Sequence, residues 1–240
     1  MTRLFHPRRA RATAVAALVL AAVLSGCSML DDDKADTEPS ATPTPSAADY
    51  AYDSQFTRDG TFQSHIDIDG VDFVYTLYPT KATPRTNEWY PRGNKFFTFT
   101  FQAYDLDRGL RDRFATKRKV YLERIRVDST TITEQGDGGQ RPYRLDAVAK
   151  RVTFDPEPVT TDKGMIITSP KGAFELRNQR IGEMSPETRG VKLTFVATVW
   201  IQDAPGSTRF SKREIRQVVP IGIFESDKPT VAARIPINSN

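Results

Sequence analysis

Residues 51–240 predict an all-β fold, an immunoglobulin-like antiparallel β-sandwich of roughly ten strands. Three observations predict it. Apolar and polar residues alternate with period two from residue 50 onward. Clusters of Gly, Pro and Asp interrupt the alternating runs at the short intervals that sandwich strands require. Only one segment, 106–117, carries a helix-compatible pattern, and Gly109 weakens it.

The elements follow in chain order. Segments 61–68 and 71–78 flank Asp69-Gly70, a pair suited to a two-residue hairpin turn because both positions tolerate positive φ. Segment 95–104 sets Phe97, Phe99, Phe101 and Ala103 on one face and Thr98, Thr100 and Gln102 on the other, with Phe96 and Tyr104 at its ends. Further strands are expected at 119–127, 130–133, 143–154, 165–168 and 173–176. Segment 190–202 alternates most cleanly: Val191, Leu193, Phe195, Ala197, Val199 and Ile201 share a face. Segment 214–224 repeats the habit, and Pro220 inside it marks an edge strand or a bulge, because proline has no N–H to give to a ladder. Segment 230–237 is the last expected strand.

Turn chemistry separates these runs at Gly136-Asp137-Gly138-Gly139, Asp155-Pro156, Ser169-Pro170-Lys171-Gly172 and Ala204-Pro205-Gly206. Two sheets sharing one core would bury alternating faces about 10 Å apart. No repeat relates the two halves, so one domain is expected over 51–240. The alternative is two smaller sandwiches joined near 135–142.

Composition bounds the function. Hydrophobic residues make up 38% and aromatics 10% of 240 residues, which is enough for a core and too little for a multi-span membrane protein. One Cys and two His exclude an intrachain disulfide, a multi-cysteine metal site and a histidine-rich one, and no cofactor or metal site is assigned. The net charge of +4 suggests nucleic acid only until it is divided. Arg3, Arg8, Arg9 and Arg11 supply all of it, and residues 27–240 carry 30 basic and 30 acidic groups. Residues 27–50 are acidic, with Asp31, Asp32, Asp33, Asp36, Glu38 and Asp49 against Lys34, while 51–240 is mildly basic at +5. No nucleic-acid partner is expected.

The N-terminus reads as an address. A basic segment, 1–11, precedes an uncharged run of 13 residues, 12–24. At about 1.5 Å per residue this run spans roughly 20 Å as a helix, short of a hydrocarbon core of about 30 Å, and so fits a signal-peptide core. Small residues and the chain's sole cysteine follow, in the order Leu24-Ser25-Gly26-Cys27. This stretch resembles the lipobox of bacterial lipoproteins, a likeness confined to residues 1–27. The resemblance implies that Leu24, Ser25 and Gly26 precede the cleavage site. It also implies that the Cys27 thiol carries a diacylglyceryl group as the first mature residue. The chain would then sit on the extracytoplasmic face of the cell membrane, held by its acyl chains. Residues 28–50, with Pro39, Pro43 and Pro45 among Thr and Ser, bury too little to offset chain entropy and are expected to form a disordered tether.

Catalytic motifs are sparse. His65 shares an alternating face with Asp67 and Asp69, which suits either a histidine–carboxylate base or the wet face of a hairpin strand. The second reading is favoured, because a lone histidine lacks the partners that acid–base chemistry needs. Asp67, Asp69 and Asp72, and separately Asp105, Asp107 and Asp112, offer carboxylates of the kind Ca²⁺ takes, without EF-hand spacing. Ser169-Pro170-Lys171 lacks the Ser-x-x-Lys spacing of penicillin-binding enzymes. No catalytic residue is assigned.

Two features suit a partner. Arg108, Arg111, Arg113, Lys117, Arg118, Lys119, Arg124 and Arg126 face only Asp112 and Glu123, giving +6 over 108–126. This run would dock on anionic lipid headgroups, an anionic envelope polymer or an acidic protein; the alternative is a solvated loop beside charged edge strands. Trp89 and Tyr90 stand in a loop-like stretch, 87–94, where they would make sugar or protein contacts or fold back to cap the sandwich. The expectation is a non-catalytic binding or interaction module of the cell envelope. A surface hydrolase or carbohydrate-active enzyme, and a small-ligand or Ca²⁺-binding lipoprotein, are the alternatives.

Overall fold

Asp69 and Gly70 both take positive φ, 55° and 74°, and the hairpin they close sets the register of the first sheet. The computed structural model describes residues 54–225. Strand β1 (Phe62–Ile68) pairs antiparallel with β2 (Val71–Pro79), with Ile68 opposite Val71 across the turn. Strand β3 (Lys95–Asp105) follows β2, and β9 (Phe174–Ile181) completes a four-stranded sheet in the order β1-β2-β3-β9.

The second sheet is built on β4 (Val120–Thr133) and β10 (Gly190–Gln202), the long alternating strands, with β11 (Phe210–Gly222) on the edge beyond β10. On the other side of β4 lie β8 (Gly164–Ile166) and then β7 (Thr160–Thr161); β5 (Gly136–Asp137) and β6 (Arg144–Val148) also pair with β4. Every named strand pair is antiparallel. The protein is an all-β sandwich.

The buried faces are the alternating ones. Phe73, Tyr75, Leu77, Phe97, Phe99 and Phe101 of the first sheet meet Leu122, Ile125, Val127, Leu193, Phe195 and Val199 of the second in one core. Phe99 meets Phe195 edge-on across it at 4.9 Å, and Tyr75 stacks on Phe101, its partner on the neighbouring strand of the first sheet, at 4.2 Å. Two short helices, α1 (Gln55–Asp59) and α2 (Ala149–Val152), are the only α-helices among the described residues. Ser54 caps α1 by accepting from the Thr57 N–H.

Several sequence expectations change in detail. The strands expected at 119–127 and 130–133 are one strand, β4, because Ser129 and Thr131 stay on the buried face and keep the alternation unbroken. In 143–154 only Arg144–Val148 is strand; the next turn, Ala-Lys-Arg-Val, is α2, opened by three good helix formers. The helix-compatible segment 106–117 is a loop with one 3-10 turn at Phe114–Thr116. A helix of that length would hold its ends roughly 18 Å apart. Yet the residues flanking it, Asp105 and Arg118, are hydrogen-bonded to one another.

Pro220 sits on the edge strand β11, and Gly136 and Asp137 return beside the end of β4 as β5, the second arm of a hairpin that turns at 134–135. The expected strand at 230–237, the signal segment, Cys27 and the tether lie outside the described residues.

Strand direction separates the sandwich into two ends. At one end Ser54, α1, the start of β1 and the last residues of β11 meet: the Gly222 N–H donates to Thr57 Oγ1 and the Phe224 N–H to the Trp89 carbonyl. At the other end stand the Asp69-Gly70 turn, the close of β3, the segment 106–117 and the opening of β4.

Candidate binding loop

Asp105 ends β3 on its buried face, and Arg118 enters β4 with the parity of the buried Val120 and Leu122. The Arg118 guanidinium therefore points inward. Its Nε and Nη2 donate to Asp105 Oδ1 at 3.0 and 2.6 Å, and its backbone N–H donates to Asp105 Oδ2 at 2.7 Å. Nη1 donates to the Asp69 carbonyl at 2.6 Å, and Nη2 to the Gly70 carbonyl at 2.7 Å and Asp107 Oδ2 at 3.1 Å. One buried cation thus ties the β1–β2 turn, the end of β3 and the start of β4.

The approach is close: a Cβ on Gly70 would lie 3.2 Å from Arg118 Nη2 at a φ of +74°. Burial works to raise the Asp105 pKa, but the hydrogen bonds and charge of Arg118 outweigh it and hold the carboxyl below its ordinary range.

The segment 106–117 hangs from this knot as a closed loop. Internal bonds shape it. Buried Lys117 donates from Nζ to the Leu110 carbonyl at 3.1 Å, and Asp112 Oδ2 accepts from the Gly109 N–H at 2.9 Å. Thr116 donates to the Arg113 carbonyl from both its hydroxyl and its N–H. At the surface of the loop Leu106 and Leu110 are 54% and 71% exposed. Arg108, Arg111 and Arg113 are exposed beside them, and among the described residues no carboxylate pairs with any of the three. Such a loop presents fixed cations and apolar side chains together, ready for an external anionic surface.

The basic run 108–126 is therefore not one patch, which corrects the sequence expectation. Lys117 and Arg118 are buried and internally bonded. Lys119 is half-buried, with its N–H donating to Gln202 Oε1. Arg124 and Arg126 lie on the outer face of the second sheet against Asp146 and Asp128. Only Arg108, Arg111 and Arg113 stay open to a partner.

Trp89 and Tyr90 are a second correction, because both are buried and neither offers a contact surface. Trp89 packs on Phe56 at 5.4 Å and donates from Nε1 to the Thr83 carbonyl at 3.2 Å. Their loop folds back over Lys95, a residue the sequence reading passed over. Lys95 is fully buried, and its Nζ donates to the carbonyls of Tyr90, Pro91 and Gly93 at 2.9, 2.9 and 2.6 Å. Burial pushes its pKa down to about 8. The signal was its register: Lys95 shares the face of Phe97 and Phe99.

His65 does meet a carboxylate, though neither of its face neighbours. Its Nδ1 lies 2.7 Å from Asp72 Oδ2, and Gln63 Nε2 lies 3.0 Å from its Nε2, all on the exposed outer face of the first sheet. Asp67 Oδ1 instead accepts from the Gly70 N–H, which is turn chemistry. Asp105, Asp107 and Asp112 are taken up by Arg118 and the Gly109 N–H. Among the described residues no three His, Cys, Asp or Glu side chains converge as metal ligands.

A second polar cluster lies on the outer face of the second sheet. The ladder slips between Thr198 and Val199, leaving Glu123 as the extra residue of a bulge. Glu123 Oε2 accepts from Trp200 Nε1 at 2.7 Å and lies 2.9 Å from Lys212 Nζ. No protein-family model and no curated protein matches the chain.

Proposed function

We propose that the protein is a lipid-anchored, extracytoplasmic binding module of the cell envelope, and that its binding element is the loop 106–117. What supports the anchor is the Leu24-Ser25-Gly26-Cys27 stretch after a basic start and a short apolar run. What supports binding is one observation: Arg108, Arg111 and Arg113 lie exposed, with no carboxylate partner among the described residues, on a loop that a buried ion pair shapes in advance. A preformed cationic loop binds an anionic envelope component with little further ordering. The role is recognition rather than catalysis.

The test compares the wild-type protein with a triple variant, Arg108→Glu, Arg111→Glu and Arg113→Glu, in capture from solubilised envelope. Loss of the captured components in the variant supports the reading. An unchanged set removes the loop as the binding element.

A further inference from the structure

We infer that the anionic surface is a phospholipid bilayer: Leu106 and Leu110 enter its interfacial layer while Arg108, Arg111 and Arg113 engage lipid phosphates. This rests on the anionic-surface reading above and names the surface.

The leucines decide between the surfaces. A hydrated anionic polymer satisfies guanidinium groups and leaves two exposed leucines in water. An acidic protein would need a broad contact, about 20–30 residues a side in a stable complex, and the exposed tip spans only 106–113. A lipid interface takes both halves of the tip at once, the apolar side chains into the acyl boundary and the cations among the headgroups. Four large hydrophobic side chains are exposed among the described residues, and two of them are Leu106 and Leu110. Internal hydrogen bonds also hold the loop where insertion needs it. Arg118 fixes its base, and Lys117 holds the Leu110 carbonyl.

Chain length permits the contact. The loop stands at the end of the sandwich opposite Ser54, and the thirteen residues of β10 span roughly 43 Å between the ends. From Cys27 to Ser54 the chain reaches about 80 Å when extended. That length exceeds the span of the sandwich, so a tether of this length permits the loop and the anchor to engage the same bilayer. The anchor raises the effective concentration of the loop at the surface, so a weak intrinsic affinity suffices.

The test uses residues 28–240, the whole mature chain without its lipid acceptor, and co-sedimentation with vesicles. One set is phosphatidylcholine alone and the other equal parts phosphatidylcholine and phosphatidylglycerol. The wild-type chain is expected to bind only the anionic set, and less so as salt rises. Leu106→Ser with Leu110→Ser, and separately Arg108→Gln with Arg111→Gln and Arg113→Gln, each weaken binding about tenfold or more. Their thermal melting stays unchanged, because all five side chains are exposed.

No binding to anionic vesicles, or binding that the leucine variant retains in full, overturns the inference. If vesicles are ignored while a soluble anionic wall polymer is bound through the arginines, the lipid inference falls and the proposed function stands. If the arginine variant keeps all envelope binding, both fall.

Discussion

Arg118 and Asp105 are joined by three hydrogen bonds at the base of the loop 106–117, one from the backbone and two from the guanidinium. The arginine side chain is 9% exposed and the carboxylate 1%. A surface ion pair contributes little, but a buried one cannot be halved without stranding a charge.

Arg118→Ala is accordingly expected to destabilise the fold by about 3–5 kcal/mol, as breaking a buried pair does. The loss is local first. Limited trypsin digestion should cut the variant at Arg108, Arg111 or Arg113 well before the wild-type protein, whose loop is held shut. Equal cleavage rates would count against the pin.

The same pair predicts acid sensitivity. The folded Asp105 carboxyl titrates below its ordinary range, so the unfolded chain takes up its proton first as pH falls. The stability it contributes is complete above the unfolded value of about 3.9 and drains away as pH drops through the folded value. Urea midpoints measured from neutral pH down to acid should fall more steeply for the wild-type protein than for Asp105→Asn. The difference between the two should narrow at the acid end.

Lys95→Met keeps the length of the side chain and removes its charge. The carbonyls of Tyr90, Pro91 and Gly93 then lose their shared donor inside the protein. Each unpaired buried group costs about 1–3 kcal/mol, partly offset by the relief of burying no ammonium, so a net loss of roughly 2–4 kcal/mol is expected in chemical denaturation. Trp89 lies in the same loop, so its fluorescence should report the loosening.

Tyr75 runs the other way. Its hydroxyl is buried in the core with no hydrogen-bond partner among the described residues, and burial drives its pKa far upward. Tyr75→Phe keeps the ring on Phe101 and removes the orphaned group. The variant should melt higher, by an amount corresponding to about 1 kcal/mol.

Much of the fold was legible because period two carries it. The parity of Val191 to Ile201 named the buried face of β10, Asp69-Gly70 named a turn that only positive φ closes, and Pro220 named an edge. The loop was legible as a run of charge, but not as a run of two kinds. Arg118 differs from Arg113 because it stands two residues before β4 on the parity of the strand's buried face, and so turns inward toward a carboxylate thirteen residues earlier in the chain. Register held that information, since Arg118 continues the parity of Val120 and Leu122, as Lys95 continues that of Phe97. Trp89 and Tyr90 had no periodic neighbours, so their burial depended on where Phe56 and Lys95 would arrive. Leu106 and Leu110 lie in a segment whose pattern suited a helix, and their exposure followed only from the drawing together of its ends.

Anchoring at Cys27 is the premise on which the loop's place at a membrane depends, and intact mass measurement of the protein from the membrane fraction tests it most directly. The account predicts a chain that begins at Cys27, heavier by a thioether-linked diacylglyceryl group. A chain that still carries residues 1–26 with a free thiol at Cys27 would contradict it.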